Sequence, residues 1–217
     1  MMKSPIRRVV YTSDGRFLLC SAANDGRVRI IDPSRGNNSV LGVELDAAEH
    51  QGGGQLSSVN ALAISARDLV ITGSEDCRVR LFTGLSQRLA SATLIGTNSP
   101  IRIAPDCRLD AHESPVTACS ISSQAKSAMD PNTWSDNEQV ERFATASKDA
   151  HIIVWSYANL TGAVPNQVLS LQNAHADWIT DLRWSSSSEF LLTASSDQTL
   201  KVGCLFFALF ILLCMLL

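Results

Sequence analysis

The stretch Lys148-Asp149-Ala150-His151-Ile152-Ile153-Val154-Trp155 decides the fold of this chain, because its pattern occurs three more times. Each copy has an Asp after small, polar or hydroxyl residues, and then a mostly apolar run that closes on the sixth residue after the Asp. The Asp residues of the other copies are Asp25, Asp76 and Asp197. A pattern that recurs in this way indicates a repeat array, and it favours binding over catalysis.

The residues around each Asp predict short strands. Arg142-Phe143-Ala144-Thr145-Ala146-Ser147 is an apolar strand that passes into small residues, and the run after Asp149 is β-branched, so the Asp occupies a tight turn between two strands. A further strand precedes each pair. Candidates for a fourth strand are Ser39–Leu45, Leu89–Gly96 and Gln167–Gln172. Four antiparallel strands per unit are typical of a propeller blade, so we expect an all-β protein.

One complete unit runs from Ala111-His112-Glu113-Ser114-Pro115-Val116 through Asp149 to Trp155, and a second begins at Ala174-His175. These residues resemble the WD-repeat family, with Ala-His where that family usually has Gly-His. The resemblance implies a β-propeller of about four blades over residues 5–203, forming an incomplete arc. The expected blades are residues 5–45, 56–96, 112–172 and 175–203.

The resemblance also implies a hydrogen-bond network inside each blade that joins a His, a hydroxyl, the turn Asp and a Trp. Its expected members are His112, Thr145, Ser147, Asp149, Trp155, His175, Thr193, Ser195, Asp197, Asp25 and Asp76. Gly203 stands where the Trp of the last blade is expected. His50 lies nine residues before Val59, rather than the four that separate His112 from Val116, which makes it a doubtful member.

A His, a hydroxyl and an Asp in one unit also suggest a hydrolase. That chemistry requires an exposed nucleophile, an oxyanion hole and a substrate cleft. Here the same residue types return once per blade without a nucleophile-elbow sequence. We therefore interpret the set as structural, expect no catalytic residues and predict that the chain is not an enzyme.

Composition narrows the remaining classes. The 217 residues carry 18 basic and 21 acidic side chains, so no strong field favours nucleic acid, and no direct binding to it is expected. Six cysteines and four histidines show no zinc-ligand spacing, and Gly52-Gly53-Gly54 lacks the Lys-Ser/Thr of a phosphate loop. We expect no metal or cofactor, and a cytoplasmic or nuclear location.

Partner-binding residues are expected on one rim, just ahead of each turn Asp. The candidates are Asn24, Glu75, Lys148 and Ser196, with Trp178 beside a strand entrance, and solvated turn residues are an equally good reading of each. A long acidic loop at residues 123–141 contains Trp134, which either anchors a partner or folds against its own loop. A second long connection, Thr97–Ala111, has room for an extra strand at Ile101–Ile103.

The apolar residues 204–217 depart from the repeat pattern. Three readings stay open: a truncation that replaces the rest of the propeller, a short membrane anchor, and a strand or helix buried in the propeller. Membrane association is possible only through this tail, which is shorter than the ~20 residues that a bilayer requires.

The leading functional hypothesis is a non-catalytic WD-repeat scaffold for protein or peptide partners. One alternative is the sensor or regulatory propeller of a larger signalling ATPase, ubiquitin ligase or ribonucleoprotein protein. The other is a tail-anchored, membrane-associated propeller.

Overall fold

Four separate β-sheets make up the fold of this computed structural model, which describes residues 4–38, 40–49, 57–93, 100–122, 140–158, 163–204 and 215–216. The chain divides into two compact units, residues 1–116 and 117–217. The expectation of an all-β protein with about four blades is confirmed. No helix in the described ranges has the length and apolar character that a membrane span requires.

Blades 1 and 2 belong to the first unit. Blade 1 consists of β1 (Ile6–Tyr11), β2 (Leu18–Ala22), β3 (Arg27–Ile31) and β4 (Val40–Asp46), with a 3-10 helix at Pro33–Asn38. Blade 2 consists of β5 (Val59–Ile64), β6 (Val70–Ser74), β7 (Arg78–Phe82) and β9 (Cys107–Asp110). Within each blade, these strands pair antiparallel in chain order.

Blade 2 carries an insertion between its third and fourth strands. Its first element is the helix α1 (Leu85–Thr93), so the prediction of a strand at Leu89–Gly96 is wrong. Leu85 and Leu89, one helical turn apart, are both buried in the core of the unit, which explains why a helix forms here. The insertion then forms β8 (Ile101–Ile103), at the expected position, and this strand pairs parallel with β4 of blade 1.

Blades 3 and 4 form the second unit, apart from the first residue of β10. Blade 3 consists of β10 (Val116–Ile121), β11 (Val140–Ser147), β12 (Ile152–Ala158) and β13 (Asn166–Leu171). Blade 4 consists of β14 (Ile179–Trp184), β15 (Phe190–Ser195), β16 (Thr199–Cys204) and the short β17 (Met215–Leu216). The acidic loop predicted at residues 123–141 ends earlier than expected, because Glu141 lies in β11 and is buried. Residues 123–139, with Trp134, lie outside the described residues.

Within each unit, sheet faces pack together around an apolar cluster. In the first unit, Leu19 and Ile30 of blade 1 pack in one cluster with Leu62 and Phe82 of blade 2. In the second unit, Ala144 and Ala146 of blade 3 lie in a cluster with Ile179, Leu182 and Leu191 of blade 4. Small residues on β11 allow the neighbouring sheet to approach closely.

The tail joins blade 4 at its outer edge. Met215 and Leu216 pair antiparallel with Leu200 and Thr199, so that β17 is the fourth strand of the sheet. Residues 205–214 and 217 lie outside the described residues.

Candidate functional site

Each turn Asp lies at the same point of its blade, between the second and third strands. The residue after it has a left-handed backbone in every blade, with φ of 65° at Gly26, 67° at Cys77, 61° at Ala150 and 66° at Gln198. One carboxylate oxygen accepts the N–H two residues further on in three blades, for example from Thr199 to Asp197 at 2.9 Å. This geometry directs the carboxylate into the blade, beneath the turn.

In blade 4 the carboxylate is held by His175, which precedes the first strand. The imidazole Nδ1 lies 2.9 Å from Oδ2 of Asp197, and Nε2 lies 2.8 Å from Oγ1 of Thr193. Thr199 also donates its hydroxyl to Asp197 at 2.6 Å. The pattern is satisfied by a neutral ring that donates from Nδ1 and accepts at Nε2.

Burial and charge set the protonation of this group. Burial lowers the pKa of His175 below its ordinary value of 6.5, although the nearby carboxylate of Asp197 acts in the opposite direction. Partial burial would raise the pKa of Asp197, but hydrogen bonds from Thr199, Ala176 and His175 outweigh it and hold that pKa far below its ordinary range. The pair is therefore a neutral imidazole against a carboxylate.

Ser195 of the expected network contributes to the turn rather than to the His. Its hydroxyl donates to the carbonyl of Asp177 at 3.0 Å and accepts the N–H of Asp197 at 3.1 Å. Lys201, four residues after Asp197, donates to the carbonyl of Ala174 at 2.7 Å. This bond fixes the segment that carries His175.

Blade 3 uses an indole in its network. Nε1 of Trp155 donates to Oγ1 of Thr145 at 3.1 Å, and the Trp ring stacks on Phe143 with centroids 6.0 Å apart. Ser147 accepts the N–H of Asp149 at 3.1 Å. His112 is half-buried and lies between β9 and β10.

Blade 2 fills the same place with a guanidinium. Arg80, four residues after Asp76, is 1% exposed and donates to both carboxylate oxygens of Asp76, at 3.1 and 2.6 Å. It also donates to the carbonyl of Ala47 at 3.2 Å, just as Lys201 donates to Ala174. Burial would raise the pKa of Asp76, but hydrogen bonds from Arg80 and Ser74 prevail and lower it.

The backbone around Ala47 shows which residue stands where blade 4 has its His. The N–H of Glu49 donates to Asp76 at 2.9 Å, as the N–H of Ala176 does to Asp197, so Ala48 corresponds to His175. The N–H of Ser57 donates to the carbonyl of Glu49 at 3.1 Å, so the two residues that flank positions 50–56 are bonded to each other. His50 lies outside the described residues. The position in blade 2 that corresponds to the network His of blade 4 is occupied by Ala48.

Blade 1 resembles blade 2. Arg29 donates to both oxygens of Asp25 and forms an ion pair of 3.1 Å with Glu44. Sequence reasoning missed Arg29 and Arg80. The available signal was a basic residue four positions after the Asp, together with Ala47-Ala48-Glu49 as a copy of Ala111-His112-Glu113 that lacks the His.

The rim residues ahead of each Asp differ between the units. In the first unit, the N–H of Asn24 donates to Oγ of Ser58 at 2.9 Å, and that hydroxyl donates back to the Asn24 side chain at 3.2 Å. Glu75 is half-buried, and its N–H donates to the carbonyl of Ser58 at 2.9 Å. These contacts lie directly before β5.

In the second unit, the corresponding place is occupied by a lysine and a tryptophan. Trp178 is 51% exposed, and Nζ of Lys148 lies over its ring, 4.5 Å from the centroid. Exposed Ser196 donates its N–H to the carbonyl of Trp178 at 2.9 Å. The two side chains border an open recess of about 620 Å³ that Asp177 and Lys201 also line.

Comparison with known proteins agrees with this geometry. The family model described as WD domain, G-beta repeat matches residues 3–32, 49–83, 105–156 and 166–202, which together make up more than half of the chain. No curated protein matches the chain. The chain belongs to the WD-repeat family.

Proposed function

We propose that this chain is a non-catalytic scaffold that docks protein or peptide partners on the rim formed by its turn residues. Repeats of this family generally mediate protein–protein interactions. The observation that carries the proposal for this chain is Trp178, an aromatic side chain that is 51% exposed beside an open recess. Tryptophan is strongly enriched among the residues that dominate binding energy at interfaces.

The backbone around Trp178 is held on both sides, which favours a preformed surface. Its carbonyl accepts the N–H of Ser196, its N–H donates to Asp177 at 2.7 Å, and the carbonyl of Asp177 accepts from Ser195. Because the turn is already ordered, this surface loses little conformational entropy when a partner binds. Lys148, which covers one face of the ring, adds a positive charge to the rim.

We assign no catalytic role to the groups that resemble a triad, because they are enclosed in the blade. His175 is 3% exposed and Thr193 is 2% exposed, and each bonds the other. A substrate cannot reach a hydroxyl that is buried and hydrogen-bonded in this way, while the bond itself accounts for the presence of both residues. We therefore assign these side chains to the framework that holds the rim.

The test is affinity purification of the full chain and of variants at the rim, with quantitative comparison of the proteins retained. Trp178→Ala and Lys148→Ala remove the exposed pair, and Glu75→Ala tests the corresponding rim position of the first unit. Val164→Ala is the matched control, because Val164 is an exposed apolar residue, 65% accessible, away from the rim.

We expect the retained proteins to be the same for the wild-type chain and Val164→Ala, and to be depleted for Trp178→Ala and Lys148→Ala. An unchanged set of proteins in both rim variants, with unchanged thermal stability, would overturn the assignment of this rim.

A further inference from the structure

A second recess lies in the first unit, at the opposite end of the strands from Asn24 and Glu75. It has a volume of about 330 Å³ and is lined by three parts of the chain. They are the turn between β1 and β2, the connection between β3 and β4 together with the start of β4, and the inserted helix α1. Because α1 belongs to the insertion in blade 2, this recess is a feature of this chain rather than of the repeat.

The floor of the recess is apolar. Leu41 and Leu89 are 5% and 3% exposed and belong to the core of the unit, and Phe17 packs against the same core. An apolar floor that is part of a packed core keeps its shape without a ligand, and it offers a place for an aliphatic side chain.

Two arginines stand at the edge of this floor with hydrogen-bond donors to spare. The guanidinium of Arg16 stacks over the ring of Phe17, 5.2 Å from its centroid, and donates no hydrogen bond to any residue in the part of the chain that the structure describes. The side chain of Arg35 is 53% exposed, and the one hydrogen bond that it makes to these residues runs from Nε to Asp32. Stacking leaves the N–H groups at the edge of the Arg16 plane available.

The two aspartates of the recess are largely engaged within their own turns. Oδ1 of Asp14 accepts from the hydroxyl of Thr12 and from the N–H of Arg16. Oδ1 of Asp32 accepts twice from Ser34, and its Oδ2 accepts from Arg35. Donors therefore outnumber open acceptors around the recess, which favours a ligand that brings acceptors.

We propose that this recess, which we call the Arg16–Arg35 recess, binds a peptide segment that carries a carboxylate next to an aliphatic side chain. The carboxylate pairs with the guanidinium groups of Arg16 and Arg35, which match its two oxygens in a planar arrangement. The aliphatic side chain lies on the floor of Phe17, Leu41 and Leu89. This surface is separate from the rim of Trp178 and does not depend on it.

Fluorescence anisotropy with the full chain tests the proposal. The probe is a labelled peptide of alternating glutamate and leucine. Two further peptides replace either every glutamate by glutamine or every leucine by glycine. The protein variants are Arg16→Gln, Arg35→Gln and the double variant.

Arg67→Gln is the matched control. Arg67 is an exposed arginine in the corresponding turn of blade 2, between β5 and β6, and it does not line the recess. The Arg67→Gln substitution removes the same positive charge at a site outside the recess. It therefore distinguishes the loss of a contact in the recess from a general effect of net charge on binding.

We expect the double variant to weaken binding of the glutamate–leucine peptide by about tenfold or more, because both charge-assisted contacts are lost. Arg67→Gln and Trp178→Ala should leave it within about twofold, because neither residue contributes to these charge-assisted contacts. The glutamine and glycine peptides should both bind more weakly to the wild-type chain. Absence of binding to the wild-type chain, or equal binding by the double variant, would overturn the proposal, as would equal affinity for the glutamine peptide.

Discussion

Blade 2 and blade 4 hold the same turn Asp with different hydrogen-bond donors and from different directions. In blade 4 an imidazole reaches Asp197 from the segment that leads into the blade. In blade 2 a guanidinium reaches Asp76 from the third strand of the same blade, and the leading segment presents Ala48. The comparison teaches that the repeat requires a donor beneath the turn, while the position in the sequence that supplies it is free to change.

The change of donor alters the consequence of losing it. A guanidinium keeps its charge at any ordinary pH, so the pair in blade 2 is a buried ion pair. The imidazole in blade 4 is neutral, and its bonds to Asp197 and Thr193 involve one charge only. Removal of one partner from a buried ion pair leaves an uncompensated charge, which costs more than the loss of a single hydrogen bond.

The largest effect is expected for Arg80→Ile, which makes blade 2 like blade 3, where Ile153 stands four residues after the Asp. The variant leaves the carboxylate of Asp76, only 10% exposed, without its guanidinium. We expect the free energy of unfolding to fall by about 3–5 kcal/mol. Urea unfolding followed by circular dichroism measures it, and Arg67→Ile, at an exposed turn, is the control. If Arg80→Ile lowers the free energy of unfolding by less than Arg67→Ile does, the ion pair does not stabilise the blade.

A smaller loss is expected for His175→Ala in blade 4. The variant deletes the ring that links Asp197 and Thr193, and leaves Thr193, 2% exposed, with one partner fewer. We expect a loss of about 1–3 kcal/mol in the same measurement. A loss equal to that of Arg80→Ile would contradict the distinction between the two blades.

The dependence of stability on pH sharpens the same contrast. Because burial lowers the pKa of His175 in the folded chain, the unfolded chain binds a proton near pH 6.5 that the folded chain does not. The free energy of unfolding should therefore fall as the pH drops below about 6.5. In His175→Gln this part of the slope should disappear, as seen in urea unfolding between pH 7 and about 5. Equal slopes for the two proteins would show that His175 does not cause it.

The smallest effect concerns Trp155 of blade 3 and has a control in the same unit. Trp155→Phe removes the donor to buried Thr145, and we expect a loss of about 1 kcal/mol. Nε1 of Trp184 is also buried but has no hydrogen-bond partner among the described residues. Trp184→Phe should therefore be neutral or stabilising, because it removes an unsatisfied donor. A similar loss in both variants would mean that packing, rather than the hydrogen bond, decides.

The strands of the four blades could be predicted from the sequence because each turn Asp is flanked by runs whose side chains alternate between two packed faces. The helix α1 could not be read from the repeat pattern. Its Leu85 and Leu89 have helical spacing, but the pattern calls for a strand at that point. A window that tested both periods would have favoured the helix.

The donor beneath the turn was predictable only where it is a His. Arg80 stands between the apolar residues Val79 and Leu81, and this alternation is typical of a strand with one solvated face. Arg80 is nevertheless buried, because Asp76 accepts its hydrogen bonds and compensates its charge. Residues 50–56 also lengthen the segment that precedes β5. The first His ahead of that strand in the sequence is therefore His50, whereas the structural counterpart of His175 is Ala48. Burial of a charge depends on a partner in space, which the order of residues does not reveal.

Transfer of the donor between the two positions tests the central claim most directly. The measurement is a double-mutant cycle in blade 2 with Arg80→Ile, Ala48→His and the combined variant, each assessed by urea unfolding. We predict that Ala48→His restores at least about 1 kcal/mol of the stability that Arg80→Ile removes, while it destabilises the chain when Arg80 is present and the space is filled. Strictly additive losses would contradict the claim that Arg80 and the missing His occupy one and the same place beneath the turn.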